Sequence, residues 1–128
     1  MLTSLAQFAL LVRDYDEAIA FYCGKLGFSL VEDTPLGNKR WVRIEVPGKN
    51  GSQILLSKAM DSEQLAVVGK QAGGRVLFFL HSDDFQADFM KFSEAGVSFI
   101  EKPRHEIYGT VAVLEDLYGN RIDLIQPR

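Results

Sequence analysis

The sequence predicts an α+β protein: two βαβββ modules whose sheets form paired half-open barrels, with helices on the convex face. Two observations carry this. An apolar run followed by a helical pattern and then by further strand patterns occurs twice, in the same order of elements. Local identity also recurs at nearly constant spacing. Asp14-Tyr15 matches Asp84-Phe85 at an offset of 70, Gly27 to Glu32 matches Gly96 to Glu101 at 69, and Gly51 to Leu56 matches Gly119 to Leu124 at 68.

In the first module, Phe8 to Val12 is a short apolar run ended by Asp14. From Asp16 the period turns helical, and Ala18, Ile19, Phe21, Tyr22 and Leu26 form one apolar stripe. Gly27 stands where a helix-terminating glycine belongs. Phe28 to Val31 is predicted as a strand, Pro35-Leu36-Gly37-Asn38 as a turn, and Trp41 to Val46 as an alternating strand. A turn over Pro47 to Gly51 then leads into a strand from Gln53 to Ser57.

The second module repeats the plan. Val76 to Leu80 is the apolar run, and Asp83-Asp84 ends it. Phe85, Phe89, Phe92 and Ala95 follow at helical spacing, and Gly96 closes the helix. Strands are predicted over Val97 to Ile100, Thr110 to Leu114 and Arg121 to Gln126, with a turn at Asp116 to Asn120. The boundaries implied are a module at about 4–58, a linker at 59–74 and a module at about 75–128, together one domain. Neither module is large enough to bury its apolar face alone, so two are expected to pack and leave a cavity for a small ligand.

Composition narrows the partners. A chain of 128 residues with 47% hydrophobic content supports a real core. A net charge of −3 with scattered Lys and Arg argues against nucleic acid, and the absence of a long apolar run argues against a membrane span. The single cysteine, Cys23, suits a reducing cytosol, so a cytoplasmic location is expected; as a helix residue it is expected to be a packed thiol.

Three stretches carry a family likeness. They are Val12-Arg13-Asp14-Tyr15-Asp16-Glu17-Ala18-Ile19-Ala20-Phe21-Tyr22 with Lys25-Leu26-Gly27-Phe28, then Ser82 to Ala87, then Glu115 to Ile125. In these the chain resembles the vicinal oxygen chelate superfamily, which includes glyoxalase I, extradiol dioxygenases, fosfomycin resistance enzymes and bleomycin-binding proteins. The resemblance implies the paired-module fold and a homodimer. It also implies ligand positions on the first and fourth strands of each module, which fall here at Gln7, Leu55, Leu77 and Asp123.

Leucine offers no lone pair, so only Gln7 and Asp123 could hold an ion, and a divalent metal would be held poorly. Asp123 is the candidate catalytic or ligand-binding acid; a salt bridge to Arg43 or Arg75 is the structural alternative. Trp41 and Arg43, alternating with apolar Val42 and Ile44, are candidates to stack on and pair with a ligand, or else form a solvated strand face. His105 and Tyr108, in a polar loop from Lys102 to Gly109, are candidates to reach over the cavity mouth, and His81 is expected at the surface.

Two functions follow. The first is a protein binding a small molecule in its cavity without the family's full metal site and with no cofactor. The alternative is a glyoxalase-type lyase or isomerase with a degenerate divalent-metal site at Gln7 and Asp123.

Overall fold

The computed structural model describes residues 1–48 and 51–128; the middle of the turn expected at Pro47 to Gly51, Lys49-Asn50, lies outside the described residues. The architecture is α+β, with nine strands and three α-helices among the described residues, arranged in two mixed sheets. The chain divides into two compact units, Met1–Val68 and Gly69–Arg128. The division falls inside the linker expected from the sequence.

Unit 1 holds β1 (Gln7–Val12), α1 (Tyr15–Ile19), β2 (Ser29–Leu36), β3 (Lys39–Glu45), β4 (Gln53–Lys58) and α2 (Ser62–Val67). Its sheet order is β1-β4-β3-β2, with β1 parallel to β4 and the other pairs antiparallel. Alternation sorts the faces as the residue types demand. Leu10, Val12, Val42, Ile44, Ile54 and Leu56 are buried, and α1 packs against β4. Asp14 caps α1 by accepting from the Glu17 amide at 2.9 Å. The helix does not stay regular. Ala20–Lys25 widens into a π-helical stretch in which the Leu26 amide reaches back to the Phe21 carbonyl at 3.1 Å. Both rings at the bulge are buried, and Tyr22 sits edge-on to Phe21 and to Phe28.

Unit 2 holds β5 (Val76–His81), α3 (Phe85–Glu94), β6 (Ser98–Phe99), β7 (Arg104–Glu106), β8 (Gly109–Glu115) and β9 (Arg121–Pro127). Its order, β5-β9-β8-β6, repeats that of unit 1, again with the first strand parallel to the last. Ile122, Leu124, Ala112 and Leu114 are buried, and α3 packs on β9 through the face that carries Phe85 and Phe92. The β8–β9 turn is held by Asp116. Its Oδ1 accepts from the amides of Tyr118 and Asn120, both at 2.9 Å, and its Oδ2 accepts from the Asn120 side chain.

Three expectations are corrected. β2 runs through Pro35-Leu36, so the turn shrinks to Gly37-Asn38. Proline is tolerated because β2 is the sheet edge, where a missing amide breaks no ladder bond. The linker, given no element in the sequence reading, contains α2. Asp61 caps α2 by accepting from the Gln64 amide at 2.8 Å, while Gln64 Oε1 accepts from the Met60 amide at 2.7 Å. The polar loop from Lys102 to Gly109 contains β7, a hairpin partner of β8 whose register closes at Glu106 and Gly109. Gly109 is required there: a Cβ would stand 2.2 Å from the Gln126 carbonyl oxygen. No helix among the described residues is long and apolar enough to cross a membrane.

Candidate functional site

On the open face of the unit-1 sheet, register brings together side chains that are far apart in sequence. Arg43 pairs with Leu55, which pairs with Ala9, while Glu32 flanks Arg43 from β2. A chain of polar contacts crosses this face. The Thr34 hydroxyl donates to Glu32 at 2.8 Å, and the Arg43 guanidinium donates to Glu32 at 3.0 Å and to the side-chain Oε1 of Gln53. Gln53 in turn donates to Glu45 at 2.9 Å. The Thr34 bond and then the Arg43 bond hold the Glu32 carboxyl below its usual range. Arg43 is therefore occupied by residues of its own sheet.

A cleft of about 240 Å³ opens at one end of this face. Leu11, Trp41, Leu55 and Met60 form apolar walls, and Lys39 and Lys58 stand among the lining residues. Gln64 of α2 also lines it, which gives the linker a place in the site. Arg40 is spoken for: it bonds Asp33 at 2.7 Å and Asp16 at 3.0 Å, and its guanidinium lies 5.1 Å from the centre of the Tyr15 ring.

Of the residues expected at a site, the structure thus brings Trp41 and Leu55 into one cleft. Arg43 shares the open face but does not line the cleft, and Gln7 sits in the ladder opposite Gln53. Lys39, Lys58, Leu11 and Met60 were missed. For Leu11 the signal was present: it shares strand parity with Gln7 and Ala9.

In unit 2, Asp123 lies in β9 between buried Ile122 and Leu124, beside Val113 on β8 and Phe79 on β5. Leu77 falls at a register irregularity between Val76 and Phe78, so the residue opposite Asp123 is Phe79, which is 60% exposed. Asp123 is half-buried as a residue, yet its Oδ1 is sealed from solvent and has no hydrogen-bond partner among the described residues. Burial pushes its carboxyl above the usual range, with Arg104 opposing more weakly. Arg104 does not bond it, being engaged by Glu101 at 2.7 Å and Glu106 at 2.8 Å.

His105 lines a second cleft of about 260 Å³ with Glu106, Thr110 and Arg128, and its Nδ1 lies 3.2 Å from the Thr110 hydroxyl. Tyr108, at the hairpin tip, is exposed and is not in that lining. His81 is exposed, and partial burial raises the pKa of Cys23, as a packed thiol requires.

The donor set does not fit a family-type metal centre. Among the described residues no three His, Cys, Asp or Glu side chains gather to hold one ion.

Comparison with known proteins places this geometry in context. Residues 4–124 match the model of the Glyoxalase/Bleomycin resistance protein/Dioxygenase superfamily. An uncharacterized protein of Shewanella frigidimarina (strain NCIMB 400) is 50% identical, with 98% of this chain and 95% of that protein covered. Among solved structures, UcmS2 superposes with a TM-score of 0.86 at 28% identity, covering 98% of both chains. TnmS3, described as an antibiotic binding protein from Streptomyces sp. CB03234, gives a TM-score of 0.83 at 27% identity, covering 99% of this chain and 98% of its own.

Proposed function

The chain belongs to the Glyoxalase/Bleomycin resistance protein/Dioxygenase superfamily, and from that premise we propose that it binds a small organic molecule in the unit-1 cleft, without a family-type metal centre. One observation carries the reading: apolar Leu11, Trp41, Leu55 and Met60 converge on a concavity with polar groups at its margin. That combination is the usual form of a small-molecule site. Its volume of about 240 Å³ lies just under the range of about 300–1,000 Å³ usual for drug-sized ligands, so one or two fused rings fill it. The description of TnmS3 as antibiotic binding supports a ligand of natural-product type.

Trp41 is the only tryptophan, so the ligand reports on itself. A panel of small aromatic compounds is expected to contain members that change Trp41 fluorescence saturably and raise the melting temperature. Stabilisation should approach about 2.7 kcal/mol at a hundredfold excess over Kd. Leu55→Glu, which places a charge in the wall, should abolish both responses. A broad panel with neither response would sink the reading.

The alternative, a glyoxalase-type lyase or isomerase, has one feature in its favour, the sealed and unbonded Oδ1 of Asp123 as a proton-transfer group. It needs donors that the described residues do not bring together, and it depends on purified protein retaining a divalent ion that Asp123→Ala releases.

A further inference from the structure

We propose that the unit-1 cleft selects an aromatic ligand that carries an anionic group, such as a carboxylate or phenolate, with Lys39 and Lys58 as its counter-charges. The inference rests on the small-molecule reading above and adds the charge of the ligand to it.

The chain as a whole is acidic, with a net charge of −3. The cleft is the reverse. Lys39, Arg40 and Lys58 line it, and among the described residues no Asp or Glu does. The three cations are not equivalent. Arg40 is neutralised by Asp16 and Asp33. Arg43, nearby on the same face, is likewise held by Glu32. Neither lysine has an ion-pair partner among the described residues. The protein thus matches its arginines on this sheet with acids and leaves two lysines beside the apolar walls unmatched.

Topology brings both lysines to one end of the sheet, Lys39 on the face of Trp41 and Lys58 on the face of Leu56. Lys39 opens β3 and Lys58 closes β4, and the two strands run antiparallel, so both residues fall at the same end of the sheet. That is the end where Trp41 and Met60 stand in the lining. Both charges line the cleft with no acid in the lining, so an anion seated there is attracted and a cation opposed. An aromatic body against Trp41 and Leu55 with its acid toward Lys39 and Lys58 matches the apolar walls and the two lysines of the lining. The acidic balance of the chain alone would favour a cationic ligand; the local field favours the opposite.

Three probes with one ring system separate charge from shape: 2-naphthoate, 2-naphthalenemethanol and 2-naphthylmethylammonium, titrated calorimetrically into the full chain. The expected order of affinity is anion, neutral, cation, with roughly fivefold between neighbours at low salt. The spread should narrow at about 0.5 M salt, where surface charges are screened. The double variant Lys39→Gln/Lys58→Gln should bring the naphthoate-to-naphthalenemethanol ratio down to about one, and Lys39→Arg/Lys58→Arg should restore it. Unchanged melting of each unliganded variant confirms that it is folded. Equal affinity for the three probes, or preference for the ammonium, overturns the inference and leaves the binding reading standing. No binding by any of them overturns both.

Discussion

Asp123 occupies in unit 2 the strand position that leucine holds in unit 1, since Leu55 is its equivalent at the repeat offset of 68. The ladder neighbour of Leu55 is Ala9, and that of Asp123 is Phe79. An acid in this apolar setting, with Oδ1 sealed and unbonded, is a liability to the fold. Desolvation raises its pKa, so the folded state holds the proton more tightly than the unfolded chain. Stability therefore falls as pH rises from the unfolded value through the raised folded value, and the cost persists above it. Asp123→Leu is expected to stabilise the protein by about 1 kcal/mol at pH 7. The gain should shrink as pH drops below the ordinary carboxylate range. Melting curves at both ends of that range check it, and a variant less stable at pH 7 would show that the carboxylate has a favourable partner in solution. Strand parity revealed where Asp123 lies, because Ile122 and Leu124 had to face the helix. It could not reveal that Arg43 was taken, because the Glu32–Arg43 pair is a cross-strand contact.

Among the elements, α2 shows most clearly how much local chemistry was readable. Asp61, followed three residues later by Gln64, is a helix-start pattern that the linker reading passed over; Asp61 caps as that pattern implies, while Gln64 reaches one residue further back, to the Met60 amide. At six residues α2 has little intrinsic stability and depends on this cap. Asp61→Ala should cost about 1 kcal/mol locally. Hydrogen exchange is the measurement: the Leu65 and Val68 amides should lose protection while those of the β3–β4 ladder keep theirs. Because Met60 and Gln64 line the cleft, the variant should also bind the aromatic probes more weakly. The extension of β2 through Pro35 and the pairing of β7 were less legible. Proline reads as a turn signal unless the strand is known to be an edge, and three residues as polar as Arg104-His105-Glu106 show no strand period.

For the whole molecule, the duplication organises everything else. Both units use one sheet order, with the first strand parallel to the last, and both end their first helix at a positive-φ glycine, Gly27 and Gly96. Equivalent positions can therefore be compared directly, and the comparison shows Leu55 where unit 2 has Asp123 and Leu77 where unit 1 has Gln7. Native mass spectrometry addresses the metal and the assembly together. The expected species is a homodimer of the 14.3 kDa chain carrying no stoichiometric divalent ion. A mass increment of one metal per chain, removed by Asp123→Ala, would revive the lyase alternative.

By itself the sequence determined the repeat, the α+β class, which strand residues face the helices, and the family likeness. These follow from period, parity and glycine placement, which act over a few residues and leave a mark wherever they act. The tertiary structure alone decided which polar groups are free. Arg40 and Arg43 are consumed by acids on neighbouring strands or on α1, Lys39 and Lys58 are left unmatched, and Trp41 is joined by Leu11, Leu55 and Met60. Pairing between residues on different strands or on a strand and a helix depends on register and strand order, and neither is written in any local stretch of chain.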